Sequence, residues 1–259
     1  MIENLPTEYI RTDFGHEVYD EWYLQHGNYN FEAPDFVKRH IPFYQQALGL
    51  SHKDYILDAG CGIGSYTREF ARCGFPVIGM DLSSNFLSVA RQNTLHENLE
   101  IEYILGDYNE MSFQDEFSVI FFEGSFFYKS REGLVSLLSG IYKALKSDGR
   151  LYFVHPNQTI IKKKYPWTKQ TEIQKNVFIH QNAEYDEENE GETHTWLKID
   201  YNTNRHFKCD FFVKLLSPKQ LKVCLDEAGF RVIHFYKKRR LEDFQPNYDN
   251  GFSLVAFKN

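Results

Sequence analysis

The chain has 259 residues, a formal net charge of −7, 42% hydrophobic residues and 25% charged residues. This composition excludes a wholly disordered chain, and the length allows one large domain or one domain with an insertion. The acidic balance argues against a general affinity for nucleic acid, which needs a basic surface. The longest apolar runs, such as residues 117–122, are far too short to span a bilayer.

The cysteine spacing contains no CxxC pair, and so suggests neither a zinc site nor a disulfide framework. The four cysteines are Cys61, Cys73, Cys209 and Cys224. The first residues show no basic segment followed by an apolar one, as a secretion signal would. We therefore expect a reducing, cytoplasmic setting and no bound metal.

The first fifty residues are predicted to be helical, because apolar residues recur at helical spacing over 9–24 and again over 35–48. After residue 50, short apolar runs alternate with helical segments. The strands are predicted at 55–57, 76–80, 101–105, 117–122 and 150–155, and the helices at 65–73, 83–95 and 131–146. This alternation predicts βαβ units, and hence an α/β fold with a doubly wound, mostly parallel sheet.

The alternation breaks between residues 156 and 216, where β-branched, aromatic and polar residues are mixed. Segments at 177–185, 194–201 and 206–215 predict antiparallel strands with one solvated face, and the acidic stretch 184–192 predicts a solvated loop. A helix at 217–228 and strands at 230–236 and 252–257 follow. The basic run 237–240 is interpreted as a solvated loop.

A glycine-rich turn follows the first predicted strand and opens the next helix. Its glycines alternate as Gly60, Gly62 and Gly64, and Asp58 lies two residues before the first of them. Glycine lets the backbone approach a ligand closely and tolerates positive φ. The GxGxxG fingerprint of NAD-dependent dehydrogenases is not met, because Ser65 takes the place of the third glycine. A carboxylate at the mouth of the loop suits a cationic ligand better than a phosphate.

The next two predicted strands also end in acidic residues. Asp81 ends the second strand, 23 residues after Asp58, and Asp107 follows the third. An acid at the end of the second strand is placed to accept hydrogen bonds from a ribose diol. Each acid alone would be better explained as a helix N-cap or a solvated loop residue than as part of a ligand site. Three in register beside the glycine loop favour a ligand site at the carboxyl edge of the sheet.

These residues resemble those of the S-adenosylmethionine-dependent methyltransferases that have a Rossmann-like sheet. The resemblance covers residues 40–155 well and resumes at 216–229. It implies a seven-stranded sheet whose last strand, at 252–257, is antiparallel to its neighbours. It also implies S-adenosyl-L-methionine as the cofactor.

By this resemblance Asp58 and the loop glycines would hold the methionyl amine and carboxylate, and Asp81 would take the ribose hydroxyls. Leu82 would lie against the adenine, Asp107 would meet its amino group and Tyr108 would cover the ring. A tyrosine on the N-terminal helix would act as a lid. The predicted cofactor-binding residues are Tyr19, Asp58, Gly60, Cys61, Gly62, Asp81, Leu82, Gly106, Asp107, Tyr108 and Glu123.

The candidates for catalysis are Glu123, Tyr128 and His155. Glu123 follows the strand at 117–122, where a carboxylate would hold a cationic amine or take its proton. His155 closes the fifth predicted strand, and its imidazole is either a general base or a side chain satisfied by the backbone. Tyr128 ends a Ser-Phe-Phe-Tyr stretch that resembles one in small-molecule N-methyltransferases.

The sequence therefore predicts four parts: an N-terminal helical cap (1–50), a cofactor-binding core (51–155), a β-rich insertion (156–216) and the remainder of the core (217–259). The insertion would be a lid or a dimer face, so that a homodimer is possible. The predicted function is methyl transfer to a small-molecule acceptor, with nitrogen favoured over oxygen or carbon. Two alternatives stay open, which are a protein or RNA acceptor and a cofactor-binding pseudoenzyme or regulator.

Overall fold

The structure, a computed structural model, describes residues 7–9, 20, 34–123 and 128–258. Two β-sheets are formed within these residues. Their strands are β1 (Thr7–Tyr9), β2 (Ile56–Ala59), β3 (Val77–Asp81), β4 (Glu102–Leu105), β5 (Phe117–Phe122), β6 (Leu145–Pro156), β7 (Trp167–Gln174), β8 (Val177–Asp186), β9 (Gly191–Asp200), β10 (Arg205–Lys214), β11 (Arg231–Lys237) and β12 (Gly251–Phe257).

Side-chain caps fix where several helices begin. The Ser83 hydroxyl accepts the Phe86 N–H at 3.0 Å, and Ser217 forms a capping box with Gln220. None of the described helices is both long and apolar enough to cross a membrane. The helices are α1 (Pro34–Leu48), α2 (Ser65–Arg72), α3 (Ser84–His96), α4 (Arg131–Ala144), α5 (Gln158–Ile161) and α6 (Pro218–Glu227).

The larger sheet has seven strands in the order β11-β12-β6-β5-β2-β3-β4. Strands β4, β3, β2, β5 and β6 run parallel, and β12 lies antiparallel between β6 and β11. The predicted doubly wound, seven-stranded sheet with an antiparallel last strand is therefore confirmed. Because parallel strands share one carboxyl edge, this topology brings the ends of β2, β3, β4 and β5 together.

Helices cover both faces of this sheet, which is why its central strands are apolar on both sides. Leu57 and Phe153 pack with α4 and α6 on one face. Their neighbours Ile56 and Tyr152 pack with α1 and α2 on the other face. The sheet is thus held rigidly from both sides, and its carboxyl edge is a fixed platform.

The insertion forms a second sheet of four antiparallel strands, β7 to β10, with β1 added in parallel along β10. Cross-strand partners share a face, so the register places Ile179, Trp196, Phe207 and Cys209 in one small apolar cluster. Helix α5 and a 3₁₀ turn (Lys162–Lys164) connect β6 to this sheet.

The structure corrects four details of the predicted elements. Tyr9, where a helix was expected to begin, instead ends β1, and apart from Asp20 the rest of that segment lies outside the described residues. Strand β6 begins at Leu145 rather than 150, so α4 ends earlier than predicted. Strand β7 was not predicted. The acidic stretch is mostly strand, and only 187–190 form the turn between β8 and β9.

Candidate active site

The glycine loop is built from backbone conformations that side chains disfavour. Gly60, Gly62 and Gly64 have φ angles of 71°, 56° and 75°, in the left-handed region. The N–H groups of Gly60 and Cys61 both donate to the Met80 carbonyl oxygen, at 2.8 and 2.9 Å. The loop is therefore tied to the end of β3, beside the crevice at the carboxyl edge.

Asp58 lies at the carboxyl end of β2, and its side chain is almost completely buried. The Thr67 hydroxyl on α2 donates to its Oδ2 at 2.6 Å. Burial raises the pKa of Asp58 to about 7, helped by the charges of Asp81 and Glu123 and opposed by the Thr67 bond. A nearby cation would stabilise the ionised form of this buried carboxyl. In the described part of the chain, no cationic group lies within hydrogen-bond distance of Asp58.

Asp81, at the end of β3, accepts two backbone N–H groups. The Gly62 N–H donates to Oδ2 at 2.8 Å, and the Ser83 N–H donates to Oδ1 at 2.9 Å. Burial raises the pKa of Asp81, and these two bonds oppose the shift. The carboxylate is thus fixed in orientation. Each oxygen keeps a further lone pair that can accept a hydroxyl group.

Four predicted residues line the same edge with different degrees of exposure. The Leu82 side chain is 42% exposed, which leaves an apolar surface beside Asp81. Gly106 directly follows β4, and Asp107 caps a 3₁₀ turn with its carboxylate. The Tyr108 ring meets Phe122 edge-on, with a centroid distance of 4.8 Å. These positions agree with an adenine site, although Asp107 already serves as a cap.

Asp20 also lies at this edge. Its carboxylate accepts the Ser83 hydroxyl at 2.6 Å and the Asn85 side-chain amide at 2.8 Å. The adjacent Tyr19, predicted to cover the cofactor, lies outside the described residues.

Cys61 lies in the loop, and its side chain packs away from the crevice. It belongs to a small cluster with Leu87, Ala90 and Tyr103, between α3 and β4. A contribution of Cys61 to a ligand therefore comes from its backbone.

Glu123 ends β5 at the predicted place, but its carboxylate is already engaged. Arg239 binds Oε1 through two guanidinium nitrogens, and the hydroxyls of Tyr44 and Tyr152 donate to Oε2 at 2.9 and 3.0 Å. Burial raises the pKa of Glu123, and Arg239 opposes that shift most strongly. The expectation of an open carboxylate is corrected, because the guanidinium neutralises the charge that an acceptor amine would use.

Arg239 is the principal residue that the sequence interpretation missed. The run 237–240 was interpreted as solvated, yet the Arg239 side chain is only 16% exposed. Its backbone N–H donates to the Ser253 hydroxyl at 2.9 Å, and its guanidinium lies 5.4 Å from the centre of the Phe36 ring. Its φ angle of 56° lies in the left-handed region, which residues other than glycine seldom adopt. No local pattern in a basic tetrapeptide distinguishes this residue from its neighbours.

His155 and Tyr128 form a buried pair. The His155 Nδ1 lies 2.7 Å from the Pro156 carbonyl oxygen, which only accepts, so Nδ1 carries the proton. Nε2 therefore accepts the Tyr128 hydroxyl, at 2.8 Å. Burial lowers the pKa of His155 to about 4. Both ring nitrogens are satisfied, which favours the structural interpretation of His155 over the general-base one.

Comparison with known proteins finds a methyltransferase domain within this fold. Residues 56–149 match the family model described as "Methyltransferase domain". This match agrees with the predicted family over those residues, the predicted fold is confirmed, and the predicted cofactor is the one that such domains use.

Curated relatives match mainly over the core. The ubiquinone biosynthesis O-methyltransferase of Nitrosococcus oceani is 39% identical over 32% of this chain and 34% of its own length. The malonyl-[acyl-carrier protein] O-methyltransferase of Serratia marcescens is 28% identical over 48% of this chain and 47% of its own. The chain spans about half or less of the length of the curated relatives it matches.

Solved structures match over nearly the whole chain. An S-adenosylmethionine-dependent methyltransferase from Clostridium acetobutylicum has a TM-score of 0.74 at 13% identity, covering 94% of this chain and 97% of that one. A sugar N-methyltransferase from Streptoalloteichus has a TM-score of 0.63 at 17% identity, covering 93% and 92%. At these identities the likeness concerns the fold, and it includes the insertion.

Proposed function

We propose that this protein transfers a methyl group from S-adenosyl-L-methionine to a nitrogen atom of a small-molecule acceptor. The observation that carries the proposal is the buried Asp58 carboxyl beside a glycine loop, in register with Asp81 on the neighbouring strand. Asp58 lacks a cationic partner among the described residues, and the amino group of the cofactor would supply one.

The residues at the edge fit the parts of this cofactor. Gly60 and Gly62 leave room for the methionyl group to approach the backbone, and Asp81 presents fixed oxygens to the ribose hydroxyls. The exposed Leu82 side chain and the Tyr108 ring provide apolar surface for the adenine. When bound, the cofactor supplies the activated methyl group. The chain then has to align the acceptor, exclude water and accept a proton.

The acceptor would enter from the side of the insertion. The Lys214 N–H at the end of β10 donates to the Tyr128 carbonyl oxygen at 3.0 Å, which fixes the second sheet against the core edge. This contact supports the insertion as a lid that selects the acceptor, and its sheet edge would also serve a homodimer.

The preference for nitrogen is supported by a difference between the proteins that match only the core and those that match nearly the whole chain. The curated O-methyltransferases match about half of the chain or less. The structures that also cover the insertion include a sugar N-methyltransferase and a glycopeptide N-methyltransferase. The insertion, which we propose to contact the acceptor, is thus similar in fold to the corresponding part of N-methyltransferases. A cytoplasmic setting is part of the proposal, since no cysteine forms a disulfide.

The test is an assay of S-adenosylhomocysteine release across a library of small amines, matched alcohols and peptides. We expect turnover with one or more small amines and none with the matched alcohols. The matched control is Asp226→Ala, which removes an exposed acid on α6 and should keep full activity. Turnover confined to alcohols, peptides or RNA would contradict the acceptor class. Cofactor binding with no turnover on any acceptor would favour the pseudoenzyme.

A further inference from the structure

The insertion sheet carries a second largely buried histidine, His194 on β9, and hydrogen bonds join this sheet to the core. Glu190 precedes β9, and its carbonyl oxygen accepts the Leu215 N–H at 2.9 Å, one residue beyond the Lys214–Tyr128 contact. Glu192 on β9 is near enough for its charge to raise the pKa of His155, against the larger lowering by burial. The start of β9 is thus joined to the residue after β10, next to the contact with Tyr128.

Glu192 and His194 form a carboxylate–imidazole dyad on β9. The Glu192 Oε2 lies 2.8 Å from the His194 Nε2, and the two side chains are 13% and 10% exposed. They are two residues apart on a strand, so they share one face. A carboxylate only accepts, so Nε2 of the neutral imidazole carries the proton and the Nδ1 lone pair is left open. The Tyr165 hydroxyl also bonds to Glu192.

The ring of His194 is held firmly, while its other nitrogen is unsatisfied. The Phe211 ring stacks on the imidazole at 4.7 Å with an interplanar angle of 7°, and Trp167 approaches edge-on at 6.0 Å. Nδ1 is buried, and in the part of the chain that the structure describes it has no hydrogen-bond partner. A buried acceptor atom without a donor is costly, so the N–H of an acceptor molecule would complete it.

The contrast with His155 identifies which imidazole can take a proton. His155 has both nitrogens bonded within the chain, whereas His194 has one nitrogen without a partner among the described residues and a carboxylate bonded to the other. We propose that His194 is the general base of the reaction and that Glu192 is its positioning residue. This inference rests on the proposed function. It is carried by the Nδ1 that has no described partner, by the largely buried carboxylate, and by the hydrogen bond that joins the end of β10 to Tyr128.

The proposed step moves one proton and one methyl group. The acceptor nitrogen forms a bond to the methyl carbon while the carbon–sulfur bond breaks, and its electron pair stays on sulfur. The proton leaves the acceptor nitrogen for His194 Nδ1, and the Glu192 carboxylate stabilises the imidazolium. The proton then passes to solvent.

Several other groups share the face of the sheet that His194 occupies or approach it from neighbouring elements. Strand register places those on β7 to β10, Tyr165 bonds to Glu192, and the charge of Glu192 acts on His155, so any pH dependence must be assigned against these groups and Glu192 itself. They are Glu192 and Lys198 on β9, Tyr185 on β8, Cys209 on β10, Lys169 on β7, Tyr165 before β7, and His155 on β6.

The test compares His194→Gln with His180→Ala, using the amine that gives the highest S-adenosylhomocysteine release with the wild-type protein. Glutamine keeps a donor for Glu192 but cannot accept a proton. We expect His194→Gln to lose roughly 10²–10⁴-fold in kcat and to lose the acidic limb of the pH–rate profile. Cofactor affinity and the denaturation midpoint should stay unchanged. His180 is on β8 and faces the other side of the sheet, so His180→Ala should keep wild-type turnover.

Two further outcomes separate this inference from the proposed function. Wild-type turnover in a folded His194→Gln variant overturns the inference and leaves the methyltransferase proposal intact. A wild-type protein that releases no S-adenosylhomocysteine with any amine overturns both. Glu192→Gln should give a smaller loss than His194→Gln and move the acidic limb, because the uncharged amide stabilises the imidazolium less. An unchanged profile in Glu192→Gln would contradict the role given to Glu192.

Discussion

The carboxyl edge of the core sheet and the first residues of β9 both present acids and a histidine, but their hydrogen bonding differs. At the core edge Glu123 is paired with Arg239, and His155 is bonded at both nitrogens. On β9 the His194 Nδ1 is left without a described partner. A residue at a strand end is therefore a weaker indication of function than a buried polar group that the chain leaves incomplete.

The largest expected effect is on stability, and it comes from removing the partner of Glu123 at the core edge. Arg239→Ala leaves the buried Glu123 carboxylate without its cation, so we expect a loss of about 3–5 kcal/mol in the free energy of unfolding. The measurement is urea denaturation of the protein without cofactor. Arg131→Ala is the matched control, because the Arg131–Glu227 pair is exposed and should add no measurable stability. Equal midpoints for the two variants would show that Glu123 is not held as described.

The next effect concerns Asp58, whose carboxyl bonds to no cationic group in the described part of the chain. Its pKa of about 7 in the folded protein exceeds the value near 3.9 expected on unfolding, so the folded state binds the extra proton between these values. The free energy of unfolding should therefore rise as pH falls from 7 towards 4, by up to about 1.4 kcal/mol per unit. Asp58→Asn should flatten this dependence. A wild-type curve with the opposite slope would contradict the account.

The same proton competes with the cofactor. Because the ammonium group needs the ionised carboxyl, affinity for S-adenosylhomocysteine should fall by up to about tenfold per unit as pH drops below 7. Calorimetry in buffers of different ionisation enthalpy should detect proton release on binding. The control ligand is 5′-methylthioadenosine, which has no amino-acid portion and should release no proton.

The next prediction concerns Asp81, an acid whose carboxylate already accepts hydrogen bonds from the chain. Asp81→Ala removes charge-assisted bonds to the ribose worth roughly 1.5–3 kcal/mol, so cofactor affinity should fall at least tenfold. It also strips the Gly62 and Ser83 N–H groups of their acceptor, so the protein without cofactor should lose stability too. Asp81→Asn keeps one oxygen and should recover part of that stability but little of the affinity. An unchanged dissociation constant in Asp81→Ala would reduce Asp81 to a structural cap.

The smallest effect distinguishes the two interpretations of the Tyr128–His155 pair. Tyr128→Phe removes one buried hydroxyl, and we expect a loss of about 1 kcal/mol in stability with kcat close to that of the wild type. Denaturation and single-turnover rates at saturating cofactor are the measurements. A rate that is hundredfold or more lower in a folded Tyr128→Phe variant would instead support the catalytic role of Tyr128 and His155 that the sequence suggested.

The order of strands and helices was predictable because it is encoded locally. Buried parallel strands such as Phe117–Phe122 are apolar at every position but Ser118, and the acids Asp58 and Asp81 directly follow apolar runs in the sequence. Rigid packing of the sheet then places those acids at one edge. The alternating glycines of the loop indicate positive φ angles directly from the sequence. These features need no knowledge of distant contacts.

The contacts of Glu123 were not predictable in the same way. Its partner Arg239 is 116 residues away, in a turn whose sequence looks like a solvated basic run. Glu192 and His194 were equally hidden, since alternating polar residues on a strand normally indicate the solvated face. Their neighbours Trp167 and Phe211 lie on other strands of the second sheet, and the periodicity of one strand does not reveal such contacts.

The central claim is that the core edge is a site for an adenosyl cofactor, and a calorimetric titration of the wild-type protein tests it most directly. S-adenosylhomocysteine should bind with a dissociation constant in the micromolar range, about −8 kcal/mol, and NADH should not bind. Binding of NADH with no binding of S-adenosylhomocysteine or S-adenosylmethionine would contradict the account.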